Sequence, residues 1–363
     1  MKILTVVGAR PQFIKAAAIS RAIRDLHANS IEEIIVHTGQ HHDENMSQIF
    51  FDELDIPKPK FNLEISGGSH GAMTGKMLEG IEQVLLKERP DYLLIYGDTN
   101  STLAGAISAA KLHIPIAHVE AGLRSFNMRM PEEVNRILSD RISSLLFCPT
   151  KTAVENLSSE GIKNGVYQVG DVMYDVALFY KEKAKKNSSI MNSLGLINKN
   201  FVLATCHRAE NTDDPQRLKG ILSAFSQIAK GMPLVLPLHP RTKKLISENS
   251  LNPLLEPLIT TEPLSFLDMV ALEQGAKMIL TDSGGVQKEA FFYNTPCITL
   301  REETEWVETV SLGWNQLVGA NTQAIIQAAE KINMGSIPDA QHNPYGNGNA
   351  SQEICQYLLK SID

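Results

Sequence analysis

The chain has 363 residues, with 43% hydrophobic and 21% charged side chains and a formal net charge of −7. That length exceeds one ordinary domain, so two domains are expected, with enough core to be stable without staples. The acidic balance excludes a nucleic-acid backbone as main partner, since that role needs clustered Lys and Arg. It leaves room for a nucleotide, whose diphosphate needs only a few local cations and backbone N–H groups. Cys148, Cys206, Cys297 and Cys355 lie far apart in sequence and show no metal-ligand spacing, so neither a metal nor a redox cofactor is expected. The apolar run at 3–7 is too short for a signal-peptide core, and no stretch is apolar enough to span a bilayer. A cytoplasmic protein with no membrane partner is the expectation.

In chain order, short apolar β-branched runs at 3–7, 34–37, 92–96, 116–119 and 145–147 read as buried strands. Helical patterns at 11–26, 72–87 and 101–112 lie between them. Continuous apolar strands alternating with helices predict an α/β fold built on a parallel, doubly wound sheet. After 166–172 a helix and a polar stretch at 181–200 mark a domain boundary. The strand pattern restarts at 201–205, 234–238, 258–260, 278–280, 297–300 and 316–318. A turn-rich connector at 343–349 leads to a last helix. The chain therefore divides into a Rossmann-like domain at 1–170 and a second, nucleotide-binding one at 171–349. The terminal segment 350–363 is expected to return to the first. Two such domains facing each other put a ligand cleft between the carboxyl ends of their sheets.

Five motifs fall at strand ends. Gly8-Ala9-Arg10-Pro11-Gln12-Phe13-Ile14-Lys15 opens a helix with Pro in its first turn; Arg10 and Lys15 make it a phosphate clamp or an ordinary turn with solvated cations. It is no G-x-G-x-x-G fingerprint, so no dinucleotide cofactor is indicated. Asp98, in Tyr96-Gly97-Asp98-Thr99, is evenly balanced between helix cap and catalytic group. Glu120, in His118-Val119-Glu120-Ala121-Gly122-Leu123-Arg124, and the Glu132-Glu133 pair could bring three carboxylates to one cleft with Asp98, as proton removal and return require. One of Glu132 and Glu133 is expected only to favour a helix N-terminus by its charge. His207-Arg208 follows the first strand of the second domain, and His239 holds a similar position. Thr281-Asp282-Ser283-Gly284-Gly285 reads as a phosphate-binding helix start, with Glu289 placed for ribose hydroxyls. Gly75-Lys76 imitates the end of a P-loop, but His70 and Met77 stand where Gly and Ser or Thr are needed.

Taken together, these motifs resemble the non-hydrolysing UDP-N-acetylglucosamine 2-epimerase family, from Gly8-Ala9-Arg10-Pro11 to Pro344-Tyr345-Gly346. The resemblance implies a glycosyltransferase-B-like fold, a homodimer, no cofactor, and loss of the C2 proton with departure of UDP from C1. A bound glycal then takes UDP back with a proton on the other face. Asp98, Glu120, Glu132 and His207 match the family's catalytic positions, and Arg10, Lys15, Ser283, Gly284, Gly285 and Glu289 its UDP contacts.

Three departures bear on the sugar. The loop Arg124-Ser125-Phe126-Asn127-Met128-Arg129-Met130 is shorter than in the N-acetylglucosamine enzymes, Trp306 stands where they have Arg, and Gln40-His41-His42-Asp43 replaces their allosteric Gln-His-Arg-Glu. These resemble the branch acting on UDP-2,3-diacetamido-2,3-dideoxy-D-glucuronate, whose mannuronate product serves surface polysaccharide. Arg129 is then expected to pair with the uronate carboxylate; a solvated loop arginine is the equal alternative. A UDP-N-acetylglucosamine 2-epimerase, a hydrolysing epimerase, a glycosyltransferase of the same fold and a non-catalytic nucleotide-sugar sensor are the competing readings.

Overall fold

A computed structural model describes residues 1–40, 58–335 and 343–361. The chain forms two compact units, Met1–Val176 with Asn343–Asp363, and Ala177–His342. The first holds a seven-stranded sheet in the order β3-β2-β1-β4-β5-β6-β7. Its strands are β1 (Lys2–Val7), β2 (Glu32–His37), β3 (Phe61–Asn62), β4 (Tyr92–Tyr96), β5 (Ile116–Val119), β6 (Leu145–Cys148) and β7 (Val166–Gln168). The second holds a six-stranded sheet in the order β10-β9-β8-β11-β12-β13. Those strands are β8 (Val202–Thr205), β9 (Leu234–Pro237), β10 (Ile259–Thr261), β11 (Met278–Thr281), β12 (Cys297–Thr299) and β13 (Asn315–Leu317).

Every strand pairing among the described residues is parallel. Helices cover both faces of such sheets, which is why Leu93, Leu94, Ile95, Leu203, Ile279 and Leu280 are all fully buried and read as unbroken apolar runs. In each sheet the strand order reverses once, between β1 and β4 (Thr5 opposite Leu94) and between β8 and β11 (Leu203 opposite Ile279). Ligands of doubly wound folds bind at the carboxyl ends of the strands that flank such a reversal.

Local signals set the helices. Asp214 caps Pro215–Ala229 by accepting from the N–H groups of Gln216 and Arg217, with Pro215 at the first position. Ser69 caps His70–Glu88, which carries Gly75 and Lys76 in its interior, where no phosphate loop exists. The two-residue β3 is too short to leave a periodic signal and has no counterpart in the sequence reading.

The division between units falls inside the helix Val172–Asn187 rather than at 170/171, and the 343–349 connector belongs to the first unit. Hydrogen bonds explain both. The Asp171 N–H donates to the Tyr345 carbonyl at 2.9 Å, and Tyr345 is fully buried. The Asp175 carboxylate accepts from Ala350 N–H (3.1 Å), Ser351 N–H (2.8 Å) and Ser351 Oγ (2.6 Å), capping the helix Ala350–Lys360. That helix lies on the first unit, with Tyr357 against Tyr167 at 4.2 Å between ring centroids. No helix of the described residues is long and apolar enough to cross a membrane.

Asp175→Ala removes this cap and is expected to cost about 1–2 kcal/mol, lowering the thermal midpoint by roughly 2–8 °C in circular-dichroism melts.

Candidate active site

In the first unit, Gly8 follows β1. A Cβ there would lie 2.1 Å from Ser101 Oγ and 2.1 Å from Thr38 Oγ1, so only glycine fits. The following helix, Arg10–Leu26, starts with a closed set of hydrogen bonds. Gln12, 1% exposed, accepts from the N–H groups of Gly8 (2.9 Å) and Ala9 (3.1 Å), and donates to the Tyr96 carbonyl (3.0 Å) and Thr102 Oγ1 (2.9 Å). All four positions of the amide are used. The turn therefore has little backbone left for an anion, and any phosphate contact there falls to Arg10.

Lys15 is 8% exposed and forms an ion pair with Glu120. Gly97 lies against that pair: its Cβ would be 3.1 Å from Glu120 Oε2 and 3.3 Å from Lys15 Nζ. Glu120 follows β5 with φ of 70°, a left-handed conformation that side chains other than glycine rarely hold. Gly122, at φ of 81°, has no room for a Cβ, which would meet the Ala153 carbonyl oxygen at 2.4 Å.

Asp98 follows β4 and pairs with Arg136; its carbonyl accepts from Asn135 Nδ2 at 2.9 Å. Asn135 and Arg136 belong to the helix Pro131–Ile142, which also presents Glu132. The structure separates the two adjacent glutamates. Glu133 is fully buried and accepts from Ser125 N–H (3.0 Å), Ser125 Oγ (3.0 Å), Phe126 N–H (2.9 Å) and Arg136 (3.0 Å), folding the 124–130 loop. Glu132 is half-buried and makes no hydrogen bond or ion pair among the described residues. Arg129 is exposed, and its guanidinium likewise has no ion pair among them.

Beneath this layer lies a buried network. His118 Nδ1 is 2.8 Å from Asp140 Oδ1 and Nε2 is 2.7 Å from the Gly97 carbonyl. Asp140 Oδ2 accepts from Gly122 N–H at 3.1 Å and from Arg124 at 2.7 Å. Arg124 also grips Glu160 through two 2.7 Å bonds. Burial alone would raise the Asp140 carboxyl, but His118 and Arg124 hold it below its usual range.

The second unit repeats the arrangement with different chemistry. Asp282, fully buried at the end of β11, accepts from the N–H groups of His207 (3.0 Å) and Arg208 (3.0 Å) and from Asn211 Nδ2 (3.3 Å). His207 itself is about half exposed, with Nδ1 3.6 Å from Asp282 Oδ1. Across the reversal, the helix Gly284–Phe292 starts at Ser283, whose side chain makes no capping bond. A Cβ at Gly285 would meet only Ser283 Oγ, at 3.9 Å. The first N–H groups of this helix are thus left for an anion. A Cβ at Gly284 would sit 3.4 Å from Trp306 Nε1 and 4.0 Å from Arg208 Nη2, so an indole donor and a guanidinium flank the same turn. Trp306 is 6% exposed, and the Lys288 ammonium lies 3.8 Å from its ring centroid. Glu289 lies on the same helix, half-buried; His239 caps Pro240–Glu248 by accepting from Arg241 N–H at 3.3 Å.

The structure therefore groups Lys15, Glu120 and Asp98 in one unit, and His207, Ser283, Gly284, Gly285 and Trp306 in the other. Gln40 Oε1 accepts from Ser101, while His41, His42 and Asp43 lie outside the described residues. No group of three or more His, Cys, Asp or Glu among the described residues is placed to hold a metal ion.

Residues 24–359 match the sequence profile described as UDP-N-acetylglucosamine 2-epimerase. The chain belongs to that family. The UDP-2,3-diacetamido-2,3-dideoxy-D-glucuronate 2-epimerase of Pseudomonas aeruginosa is 53% identical over 99% of this chain and 100% of its own. A UDP-N-acetylglucosamine 2-epimerase homolog of Methanococcus maripaludis is 52% identical over 99% of both chains. The crystal structure of Methanocaldococcus jannaschii UDP-GlcNAc 2-epimerase in complex with UDP-GlcNAc and UDP superposes with a TM-score of 0.90, at 44% identity over 99% of this chain and 100% of that one. The enzyme is thus an isomerase of sugar nucleotides, with the glycosyltransferase-B-like α/β fold.

Gln12, Arg136, Asp140 and Asp282 were not singled out by the sequence reading. A signal for Asp140 and Arg136 exists in their helix: its buried face is Glu133, Asn135, Arg136, Ser139 and Asp140, while Leu138 and Ile142 point outward. An inverted amphipathic helix of this kind marks a polar network in place of a core.

Asp140→Asn is expected to cost about 3–5 kcal/mol at pH 7, since it leaves buried donors and Arg124 without their carboxylate. The folded-state value of Asp140 is lowered, so its stabilisation is full above the unfolded carboxylate value of about 3.9 and is lost as pH falls through the lower folded value. In urea unfolding, the gap between wild type and variant should narrow as the pH is taken below about 4.

Proposed function

We propose that the enzyme interconverts UDP-2,3-diacetamido-2,3-dideoxy-D-glucuronate and its D-mannuronate epimer, for surface polysaccharide, by elimination and re-addition of UDP. The full-length likeness to the Pseudomonas aeruginosa enzyme of that name carries the reading. The shortened 124–130 loop, with Arg129 exposed and unpaired among the described residues, agrees with a substrate that bears a carboxylate.

Glu120 and Glu132 handle the C2 proton. In the forward direction one carboxylate takes that proton, the C2–H electrons form the C1=C2 bond, and the C1–O bond breaks with its electron pair on UDP. In the return step UDP attacks C1 while a proton is delivered to the opposite face of C2. Lys15 pairs with Glu120, and Arg136 pairs with Asp98. Asp98 transfers a proton or tunes its two partners. Departing UDP carries the charge that develops. The uncapped helix start at Ser283-Gly284-Gly285, with Arg208, Trp306 and His207 beside it, is suited to stabilise that charge. Glu289 serves the ribose, and Arg10 supplies a further cation to the UDP.

The enzyme works in the cytoplasm as a homodimer, and the outward apolar Leu138 (46% exposed) and Ile142 (38%) suit a partner surface. Sedimentation of a monomer at micromolar concentration would remove that part of the reading.

The primary test is proton NMR in D₂O with the uronate and, in parallel, with UDP-N-acetylglucosamine. Epimer formation from the uronate with deuterium at C2 is the expected outcome. Turnover of the neutral sugar alone would keep the reaction and overturn the substrate, whereas no C2 exchange by protein that binds UDP would point to a glycosyltransferase or a sensor. Glu120→Gln and Glu132→Gln should each lower kcat by roughly 10²- to 10⁴-fold. Arg129→Leu should cut kcat/KM for the uronate about 10- to 100-fold, with little effect on a neutral sugar. Equal losses on both sugars would remove Arg129 from carboxylate recognition.

A further inference from the structure

The buried network under the first unit's strand ends has a geometry that a purely structural role does not require. Asp140 reaches both sides of Glu120. One oxygen meets the His118 side chain, two residues before it, at 2.8 Å; the other accepts the Gly122 N–H, two residues after it, at 3.1 Å. The left-handed backbone at Glu120 costs about 1–2 kcal/mol and persists only where its surroundings over-determine it. Glu120 and Ala121 N–H groups both donate to the Phe147 carbonyl, at 3.1 Å each, which fixes the segment against β6 but not its bend. The bracket by Asp140 fixes the bend. His118 then carries the constraint further. Both of its ring nitrogens face oxygen atoms, the Asp140 carboxylate and the Gly97 carbonyl at 2.7 Å, so the ring bridges the helix and the turn before Asp98. Gly97 is the residue before Asp98, and its missing Cβ lets the Lys15–Glu120 pair lie against it. His118 and Asp140 are 0% and 1% exposed, so no solvent relaxes these bonds.

We propose that Asp140 and His118 are positioning residues for the epimerisation, a couple that sets Glu120 and Asp98 relative to each other. The couple touches neither carboxylate and acts only through the backbone at 97 and 118–122. The proposal rests on the reading of Glu120 as a proton-handling group. Asp140 also belongs to the helix that presents Glu132, Asn135 and Arg136, so one rigid element spans all three carboxylates.

Two substitutions at His118 separate the halves of the couple. An asparagine amide nitrogen overlays Nδ1 of histidine, so His118→Asn keeps the bond to Asp140 and loses the one to Gly97. A glutamine amide nitrogen overlays Nε2, so His118→Gln keeps the Gly97 bond and loses Asp140. Both variants of the full chain should lose about 100-fold in kcat, as misplacement of a reacting group by about 1 Å does, with KM and calorimetric UDP affinity within about threefold of wild type. A protein in which the couple only fills the core would instead keep kcat in whatever fraction remains folded. Folded variants with wild-type kcat overturn the proposal. So do variants that neither fold nor bind UDP, because the couple would then hold up the domain itself. Glu120→Gln, measured alongside, tells the two levels apart: wild-type turnover in that variant removes the catalytic reading, while its inactivation beside fully active His118 variants removes only the positioning couple.

Discussion

A parallel sheet that reverses its strand order leaves two adjacent loops running to opposite faces with a crevice between them, and the backbone groups at their ends need polar partners where they are buried. Each unit meets that constraint with one buried side chain. In the first, the Gln12 amide joins the turn after β1 to the carbonyl that ends β4. In the second, the Asp282 carboxylate joins the end of β11 to the turn after β8. The rest of both sites is arranged around these two bridges.

The difference between the bridges divides the chemistry. Gln12 occupies the N–H groups of Gly8 and Ala9, so the turn in the first unit offers little backbone to an anion, and the charges gathered beside it are carboxylates with their own cations, Lys15 and Arg136. Asp282 satisfies the turn at His207 and Arg208 instead, and the helix start beside it, at Gly284, stays open. The buried Asp282 carboxylate thereby leaves the neighbouring helix start uncapped, because its acceptors are taken by the His207 and Arg208 N–H groups and the Asn211 amide. The paired carboxylates thus belong to one sheet and the open helix start to the other.

Much of this was legible in the sequence for a specific reason. Strands buried on both faces are apolar for most of their length, so β4, β5 and β11 stand out as runs, and parallel pairing then brings Asp98, Glu120 and Ser283 to strand ends. What was not legible depends on partners remote in the chain. Nothing local tells Glu132 from Glu133; only the fold shows that Glu133 closes the 124–130 loop while Glu132 is left over. Asp140 looks like an ordinary residue of a polar helix until His118 and Gly122 are placed against it. Trp306 read as part of the sugar's surroundings, and it sits at the Gly284 turn because Lys288, one turn along the same helix, stacks on its ring.

The position of Trp306 has an optical consequence. The chain has two tryptophans, Trp306 and Trp314, and both lie in the second unit. Emission excited at the red edge of the indole band therefore comes from that unit alone, and one of its two emitters has its N–H at the Gly284 turn. The first unit, with its tyrosines, is silent in that channel. Quenching or a spectral shift on adding UDP reads nucleotide arrival without a label, and comparing fluorescence with far-ultraviolet dichroism separates the melting of one unit from that of the other.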